Sequence, residues 1–380
     1  MKFKIVVTGG GTVGHISPLL AVLQVLKEQH DLEALYVGCA SSLEEELAKS
    51  KGITFKALNV SGFSRRLGFQ DARRNLLAIF RLVGATWQSW RFLRDFEPDV
   101  VFATGGYVCT PILLATRLLK IKRVIHEQNA IPGLTTKIFE GTADVVLLAS
   151  ASARRYIKNK NAMIVGNPVS SSFLHQSENP SNNAKSSQNV FLIVSFGGSL
   201  GAMRLNETIA DVLVSLAGNT EIRWIHATGR ANYHEFITFL QRKGLDLSKH
   251  PGIEVCEYIG NMPDLLHTAD LVIARAGAMT IAELQATGKA CILIPSPNVT
   301  NNHQLHNANT LAEKGAAIVL EEKDLTAQVL LAQIKILMKD HELLRSLGQK
   351  MRGLAVLDSA QRICQIITDV VVKSRKGSRA

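Results

Sequence analysis

The 380-residue chain reads as an α/β protein built of two doubly wound, Rossmann-like parallel-sheet domains facing a cleft. Three observations predict this. Strand-length apolar runs alternate with helix-length amphipathic segments, the pattern of parallel sheets covered by helices. The two halves repeat one theme: Ile5-Val-Val-Thr-Gly-Gly-Gly-Thr-Val-Gly14 opens the first, and Leu192-Ile-Val-Ser-Phe-Gly-Gly-Ser-Leu-Gly201 opens the second. The length also exceeds what one ordinary core fills and suits two domains.

The elements follow in order. A strand at 4–8 runs into the first glycine turn, and a helix with apolar residues at three and four spacing covers 19–28. Strands at 34–37, 100–103, 123–126 and 145–148 complete the first half. Two of them end in polar or glycine-rich motifs, Thr104-Gly-Gly-Tyr107 and His126-Glu-Gln-Asn129. Residues 177–189 hold no large apolar side chain and read as a linker or mobile loop between domains at 1–170 and 190–355. The second half has strands at 190–195, 222–227, 271–274 and 290–294, with a helix at 205–216. The amphipathic segment around 359–372 is a last helix. Whether the tail at 356–380 crosses back to the first domain is not shown by the sequence.

A glycine turn before a helix sets free backbone N–H groups and the positive end of the helix dipole at one point, where an anion fits. Gly9-Gly-Gly-Thr-Val-Gly14 matches G-x-G-x-x-G, which alone suggests a dinucleotide. His15 and Pro18 directly behind it argue otherwise, because an imidazole at a phosphate-binding helix start suits general-base work. A capping histidine is the competing reading. Gly197-Gly-Ser-Leu-Gly-Ala202 is a second anion turn, with Ser199 as a hydroxyl donor; neither turn has the Gly-Lys-Ser/Thr of a Walker loop. In Arg275-Ala-Gly-Ala-Met-Thr-Ile-Ala-Glu283, Glu283 falls about two turns into a helix, where a carboxylate can accept both hydroxyls of a ribose. The polar strand ends at 126–129 and 295–307 supply the amides and hydroxyls that a neutral sugar requires, since such groups are costly unless bonded.

Composition narrows the classes. A net charge of +11 fits an anionic partner. The five cysteines lie far apart without a Cys-x-x-Cys pair, which speaks against zinc and a disulfide framework. The apolar runs are too short to span a bilayer, and the N-terminus reads as a strand rather than a signal peptide, so a cytoplasmic location is expected. Residues 62–96 interleave arginines (Arg65, Arg66, Arg73, Arg74, Arg81, Arg91, Arg94) with large apolar residues such as Phe80, Trp87 and Trp90. That mixture suits an interface on an anionic membrane surface; an ordinary helix core competes, and no RNA-binding pattern supports a nucleic acid.

Seven of these motifs in this order resemble the MurG family, the N-acetylglucosaminyltransferases that convert lipid I to lipid II in peptidoglycan synthesis. The resemblance spans nearly the whole chain, including Gly166-Asn-Pro-Val169 and residues 301–307. It implies the GT-B fold, an inverting transfer of GlcNAc from UDP-GlcNAc to the C4 hydroxyl of the lipid I muramyl sugar, no cofactor or metal, and a peripheral place on the cytoplasmic face of the membrane. By motif it puts Thr12, Val13, Gly14 and Asn129 near the donor sugar and makes His15 the base. Ser199 becomes the pyrophosphate contact, the backbone of Ile259 the uracil contact, and Ala278, Met279, Thr280 and Glu283 the ribose and sugar loop. Gln304 and Asn307 would take the GlcNAc hydroxyls. Gly10, Gly11, Thr104, Gly105, Gly106 and Tyr107 are candidates for the acceptor diphosphate.

Two departures stand out. Val13 replaces a glycine common in the family, and Ser170 stands where an arginine often follows Gly-Asn-Pro-Val, leaving Arg154, Arg155 or Arg204 to stand in. A diacylglycerol glucosyltransferase, a UDP-GlcNAc 2-epimerase and a sugar-nucleotide-binding regulator without turnover remain as rivals.

Overall fold

A computed structural model describes residues 2–62, 69–175, 190–198 and 201–377. The predicted linker at 177–189 and Ser199 lie outside the described residues, as do Phe63, Arg65, Arg66 and Leu67. The chain divides into two compact units, one of residues 1–170 and 356–380 and one of residues 171–355.

In the first unit the chain runs β1 (Lys2–Thr8), α1 (Val13–Gln29), β2 (Asp31–Cys39), α2 (Leu43–Ser50), β3 (Thr54–Leu58) and α3 (Phe69–Phe96). It continues with β4 (Val100–Ala103), α4 (Cys109–Leu119), β5 (Lys122–Glu127), α5 (Leu134–Phe139), β6 (Val145–Leu148) and β7 (Ala162–Ile164). All seven strands are parallel in the order β3-β2-β1-β4-β5-β6-β7. Parallel strands covered on both faces need apolar residues on both, which is why β1 reads Ile-Val-Val without alternation. Ile5 and Val7 pack with Leu19, Leu23 and Leu26 of α1, while Val6 faces Leu93 of α3 and Ile112 of α4.

In the second unit the chain runs β8 (Phe191–Phe196), α6 (Met203–Ser215), β9 (Ile222–Ala227), α7 (Tyr233–Arg242), β10 (Ile253–Cys256), α8 (Met262–Thr268) and β11 (Leu271–Ala274). Then come α9 (Ala278–Thr287), β12 (Cys291–Leu293), α10 (His303–Ala312), β13 (Ile318–Val319), α11 (Ala327–Lys339) and α12 (His341–Gly353). Its six parallel strands are ordered β10-β9-β8-β11-β12-β13. Buried Trp224 donates to Ser195 Oγ at 2.7 Å, and the same oxygen meets His226 Nδ1 at 2.8 Å, so these three side chains pair with one another. Burial pushes His226 down to about 3, so its ring stays neutral there.

The last helix, α13 (Ser359–Gly377), packs on α1 of the first unit. Ile363, Cys364, Ile367 and Val371 are fully buried in the core that holds Ile5 and Val7. Arg375 grips Asp99 through Nε and Nη2 at 2.9 and 2.8 Å.

On α3 the fully buried side chains are Ala78, Ala85, Ser89 and Leu93, with Trp90, Phe92 and Phe96 half-buried against the same core. Leu76, Leu77, Ile79, Phe80, Val83 and Trp87 face outward, Phe80 being 68% exposed and Trp87 60%. Of the two readings of this segment, ordinary core therefore accounts for the packed residues and not for these outward ones. Among the described residues no helix is long and apolar enough to cross a membrane.

Candidate active site

In a doubly wound sheet the strand order reverses at one point, and the loops leaving the strands there diverge and open a crevice. In the first unit that point lies between β1 and β4, so the turns after Thr8 and after Ala103 stand side by side. Gly10 N donates to Gly105 O at 3.3 Å, joining the turns. Only glycine fits the second one. Gly105 and Gly106 have φ of 107° and 89°, and a Cβ on Gly106 would come 2.4 Å from Gly10 O. Thr104 is buried; its hydroxyl donates to His15 O at 2.6 Å and its N–H to Thr8 O at 3.0 Å. From below, the Tyr36 hydroxyl donates to Gly9 O, and Glu44, which accepts Cys39 N–H at 3.2 Å, lies beneath Gly10.

Thr12 caps α1 without a side-chain bond, which leaves the first-turn N–H groups of Val13 and Gly14 available for a ligand. His15 follows in the same turn. Its Nδ1 lies 2.9 Å from Thr104 O and 3.1 Å from Gln128 Oε1. Both partners are acceptors, so Nδ1 carries a proton, and in the neutral ring the lone pair is on Nε2. The ring sits directly over Gly105, where a Cβ would stand 3.0 Å from Nδ1.

The polar end of β5 serves the protein before any ligand. Glu127 accepts from Asn129 N (3.1 Å), Asn129 Nδ2 (3.2 Å), Gly133 N (2.9 Å) and Thr136 Oγ1 (2.6 Å). One carboxylate thus fixes the loop that presents Asn129. His126 and Gln128 are buried and bonded to each other. Tyr107 stays 42% exposed, with its ring beside Gly11 and Gly62. The structure therefore gathers His15, residues 9–14 and 104–107, and the end of β5 at one switch point.

In the second unit the switch lies between β8 and β11. Past β8, Gly201 has no room for a side chain: a Cβ there would lie 2.2 Å from Asn232 Nδ2 and 2.5 Å from Thr228 O. Like α1, both α6 and α9 start without a side-chain cap, at Ala202 and Gly277. Arg275 is buried, donates to Ile294 O and Pro295 O at 3.2 and 3.3 Å, and pairs with Glu322. It ties the start of the Ala278, Met279 and Thr280 turn to the loop after β12.

Glu283 sits on α9 facing the loop of Ile259, whose neighbour Tyr258 feels its charge. Loss of hydration pushes the Glu283 carboxyl up to about 8. Ile259 itself is buried, with exposed Tyr258 beside it. Gln304 and Asn307 on α10 already hold backbone: Gln304 Oε1 accepts Ser296 N at 2.9 Å, and Asn307 Nδ2 donates to Ala276 O at 3.3 Å. Asn301 and Asn302, just before α10, take left-handed φ of 53° and 51°, which asparagine tolerates. Beside this loop lies a cavity of about 370 Å³ lined by Arg204, Pro295, Pro297, Asn302, Leu305 and Lys323, among others.

Of the three arginines considered for the missing one after Val169, Arg154 donates to Ile157 O at 2.6 Å and Arg155 lies over the Tyr156 ring. Arg204 bonds Leu325 O at 3.1 Å from the first turn of α6 and faces the cavity. The sequence reading singled out neither Gln128 nor the Arg275–Glu322 pair. The run His-Glu-Gln-Asn was the available signal for the first, and nothing in the sequence joins residues 275 and 322.

Two Rossmann-like units with glycine turns at both switch points define a glycosyltransferase of the GT-B class, and the matched families agree. The glycosyltransferase family 28 N-terminal domain matches residues 5–148 and the family 28 C-terminal domain residues 192–363. A UDP-N-acetylglucosamine--N-acetylmuramyl-(pentapeptide) pyrophosphoryl-undecaprenol N-acetylglucosamine transferase of Natranaerobius thermophilus is 38% identical over 97% of this chain and all of its own. A transferase of the same name from Bacillus cytotoxicus is 36% identical over the same shares. The crystal structure of Acinetobacter baumannii MurG superposes with a TM-score of 0.72 at 27% identity, covering 97% of this chain and 100% of that one. The chain belongs to this transferase family, the MurG family.

Proposed function

We propose that the chain transfers GlcNAc from UDP-GlcNAc to the C4 hydroxyl of the muramyl sugar of lipid I, with inversion, giving lipid II. The observation that carries the mechanism is the His15 ring, protonated on Nδ1 by geometry and offering a lone pair at Nε2 beside two glycine turns. Full-length relatives at 34–38% identity, all bearing that activity in their names, support the substrates.

The acceptor diphosphate lies on the turns of Gly10, Gly11, Thr104, Gly105 and Gly106, with Tyr107 beside it, while Thr12, Val13 and Gly14 face the donor sugar. His15 Nε2 takes the C4 hydroxyl proton while that oxygen attacks C1 of the donor sugar. The bond from C1 to the UDP oxygen breaks on the opposite face, and UDP leaves with the electron pair. The donor is held by the second unit: its diphosphate over the turn of Ser199, uracil at the Ile259 backbone, and ribose on Glu283. Gln304, Asn307 and, from the first unit's motif, Asn129 take the sugar. Fixed N–H dipoles, with Arg204 in place of the absent arginine, stabilise the charge developing on the UDP leaving group, so no metal takes part. The outward apolar face of α3, with its arginines, seats the chain on the cytoplasmic face of an anionic membrane.

UDP release from UDP-GlcNAc, followed in excess EDTA with and without a lipid I analogue, tests this. Release only with the analogue is expected. Release without it points to a hydrolase, release only with diacylglycerol to a different transferase, conversion to another UDP-sugar without UDP release to an epimerase, and no change in the sugar nucleotide to a regulator. His15→Ala lowers kcat by roughly 10²–10⁴; an unchanged kcat removes His15 from the chemistry.

A further inference from the structure

The buried end of β5 does more than fill space, because its hydrogen bonds form a directed chain that ends on His15. At the far end His126 Nε2 lies 3.0 Å from Gly166 O, a backbone carbonyl that can only accept, so Nε2 carries hydrogen. Burial pushes His126 down to about 4, and the neutral ring leaves Nδ1 as an acceptor. Gln128 Nε2 lies 3.0 Å from that Nδ1 and donates to His126 O at 3.1 Å, which fixes which end of the amide is nitrogen. Gln128 Oε1 must then face outward, where it meets His15 Nδ1 at 3.1 Å. A reversed amide would set its oxygen against two acceptors.

At the near end Thr104 O, another backbone carbonyl, demands the same Nδ1–H at 2.9 Å. The two ends agree, and each bond in the chain admits one direction. Asn167 Nδ2 donates to Gln128 O at 3.1 Å, bracing the backbone of the relay.

We propose that Gln128, oriented by His126, is a positioning residue that holds His15 in the Nδ1–H tautomer with Nε2 aimed at the acceptor hydroxyl. The proposal rests on the reading of His15 as the base. The tautomer of a histidine is set by the bond its other nitrogen makes, and a base presenting N–H to its substrate cannot accept a proton.

The test combines ¹⁵N-histidine NMR of the full chain, with the His15 signals assigned by their loss in His15→Ala, and steady-state turnover. The wild-type ring is expected to show Nδ1 protonated and Nε2 bare. Gln128→Leu leaves Thr104 O as the single acceptor, so the hold on the Nδ1–H tautomer loosens, an Nε2–H fraction appears in the spectrum and kcat falls several-fold with little change in KM. A wild-type ring protonated on Nε2 overturns the proposal whether or not the variants fold. So does a Gln128→Leu chain with the tautomer unchanged and kcat within about twofold, even where His15→Ala is inactive. An active His15→Ala sinks the base reading instead, which keeps the two failures apart.

Discussion

Among the candidate site residues, Glu283 departs far from what its type suggests. Its carboxyl sits on α9 crowded by protein atoms, and the dehydration of its charge raises it to about 8, so at neutral pH it is protonated in the free chain. A ribose that donates two hydroxyls to it requires the ionised form. On the proposed ribose contact, donor binding near neutral pH releases up to one proton, and affinity climbs as pH rises toward 8. Calorimetry of UDP-GlcNAc binding in buffers of different ionisation enthalpy measures that proton directly; a buffer-independent enthalpy at pH 7 contradicts it. The sign for stability is opposite. Between the ordinary carboxyl value of 4.5 and about 8 the folded chain holds a proton that the unfolded chain has lost, so stability falls as pH rises through that window. The ceiling is about 5 kcal/mol, less for a group that keeps some contact with solvent. Glu283→Gln, with nothing to ionise, should melt higher than the wild type at pH 8 and match it near pH 4. The position and type of Glu283 were legible in the sequence; its dehydration was not, because it depends on the loop of Tyr258 folding against α9. The same holds for Gln128 and His15, partners separated by 113 positions that only the β1–β4–β5 register brings together.

At the scale of elements, α13 is the piece that the first unit's core cannot do without. Ile363, Cys364, Ile367 and Val371 are fully buried against the layer formed by α1 and β1. Cys364 Sγ reaches Gln29 Oε1 at 3.3 Å and Thr368 Oγ1 reaches His30 Nε2 at 3.1 Å, both at the end of α1. Ile367→Ala opens a cavity in that layer and should cost about 2–5 kcal/mol in chemical denaturation. Arg375→Ala, which breaks only an exposed ion pair with Asp99, should cost less than about 1 kcal/mol. Equal losses would mean that the helix is held by its charges rather than its packing. The sequence showed α13 as an amphipathic helix but could not say which core received its apolar stripe. It revealed the central strands for a physical reason: β1, β4, β8 and β11 are covered on both faces and read as unbroken apolar runs. The strands it missed, β3, β7, β10 and β13, lie at the sheet edges. Each is short or half exposed, as in Thr-Phe-Lys-Ala-Leu of β3, so no apolar run distinguishes it from a loop.

Taken as a whole, the molecule has two separate features that the proposed seat on a lipid surface would use, and each has a different dependence on salt. One is the net charge of +11, which attracts it to anionic headgroups but is screened beyond about 10 Å at 0.1 M salt. The other is the outward face of α3, where Phe80, Val83 and Trp87 are each at least 60% exposed. Insertion of such side chains follows buried apolar area and is hardly touched by salt. Basic residues close to the surface add about 1 kcal/mol each, so charge should dominate at low ionic strength. Sedimentation with vesicles of mixed anionic and zwitterionic lipid, across a salt series, separates the two. The wild type should bind strongly in dilute buffer, weaken steeply as salt rises, and then level off at a residual set by α3. Phe80→Glu with Trp87→Glu should remove the residual while leaving helix content and UDP-GlcNAc turnover on a soluble acceptor unchanged, since neither side chain supports the core. If the double variant still levels off at the wild-type value, α3 is not the inserting face. Purely zwitterionic vesicles should hold only the residual, and strong binding to them in dilute buffer would show that charge is not what brings the chain to the membrane.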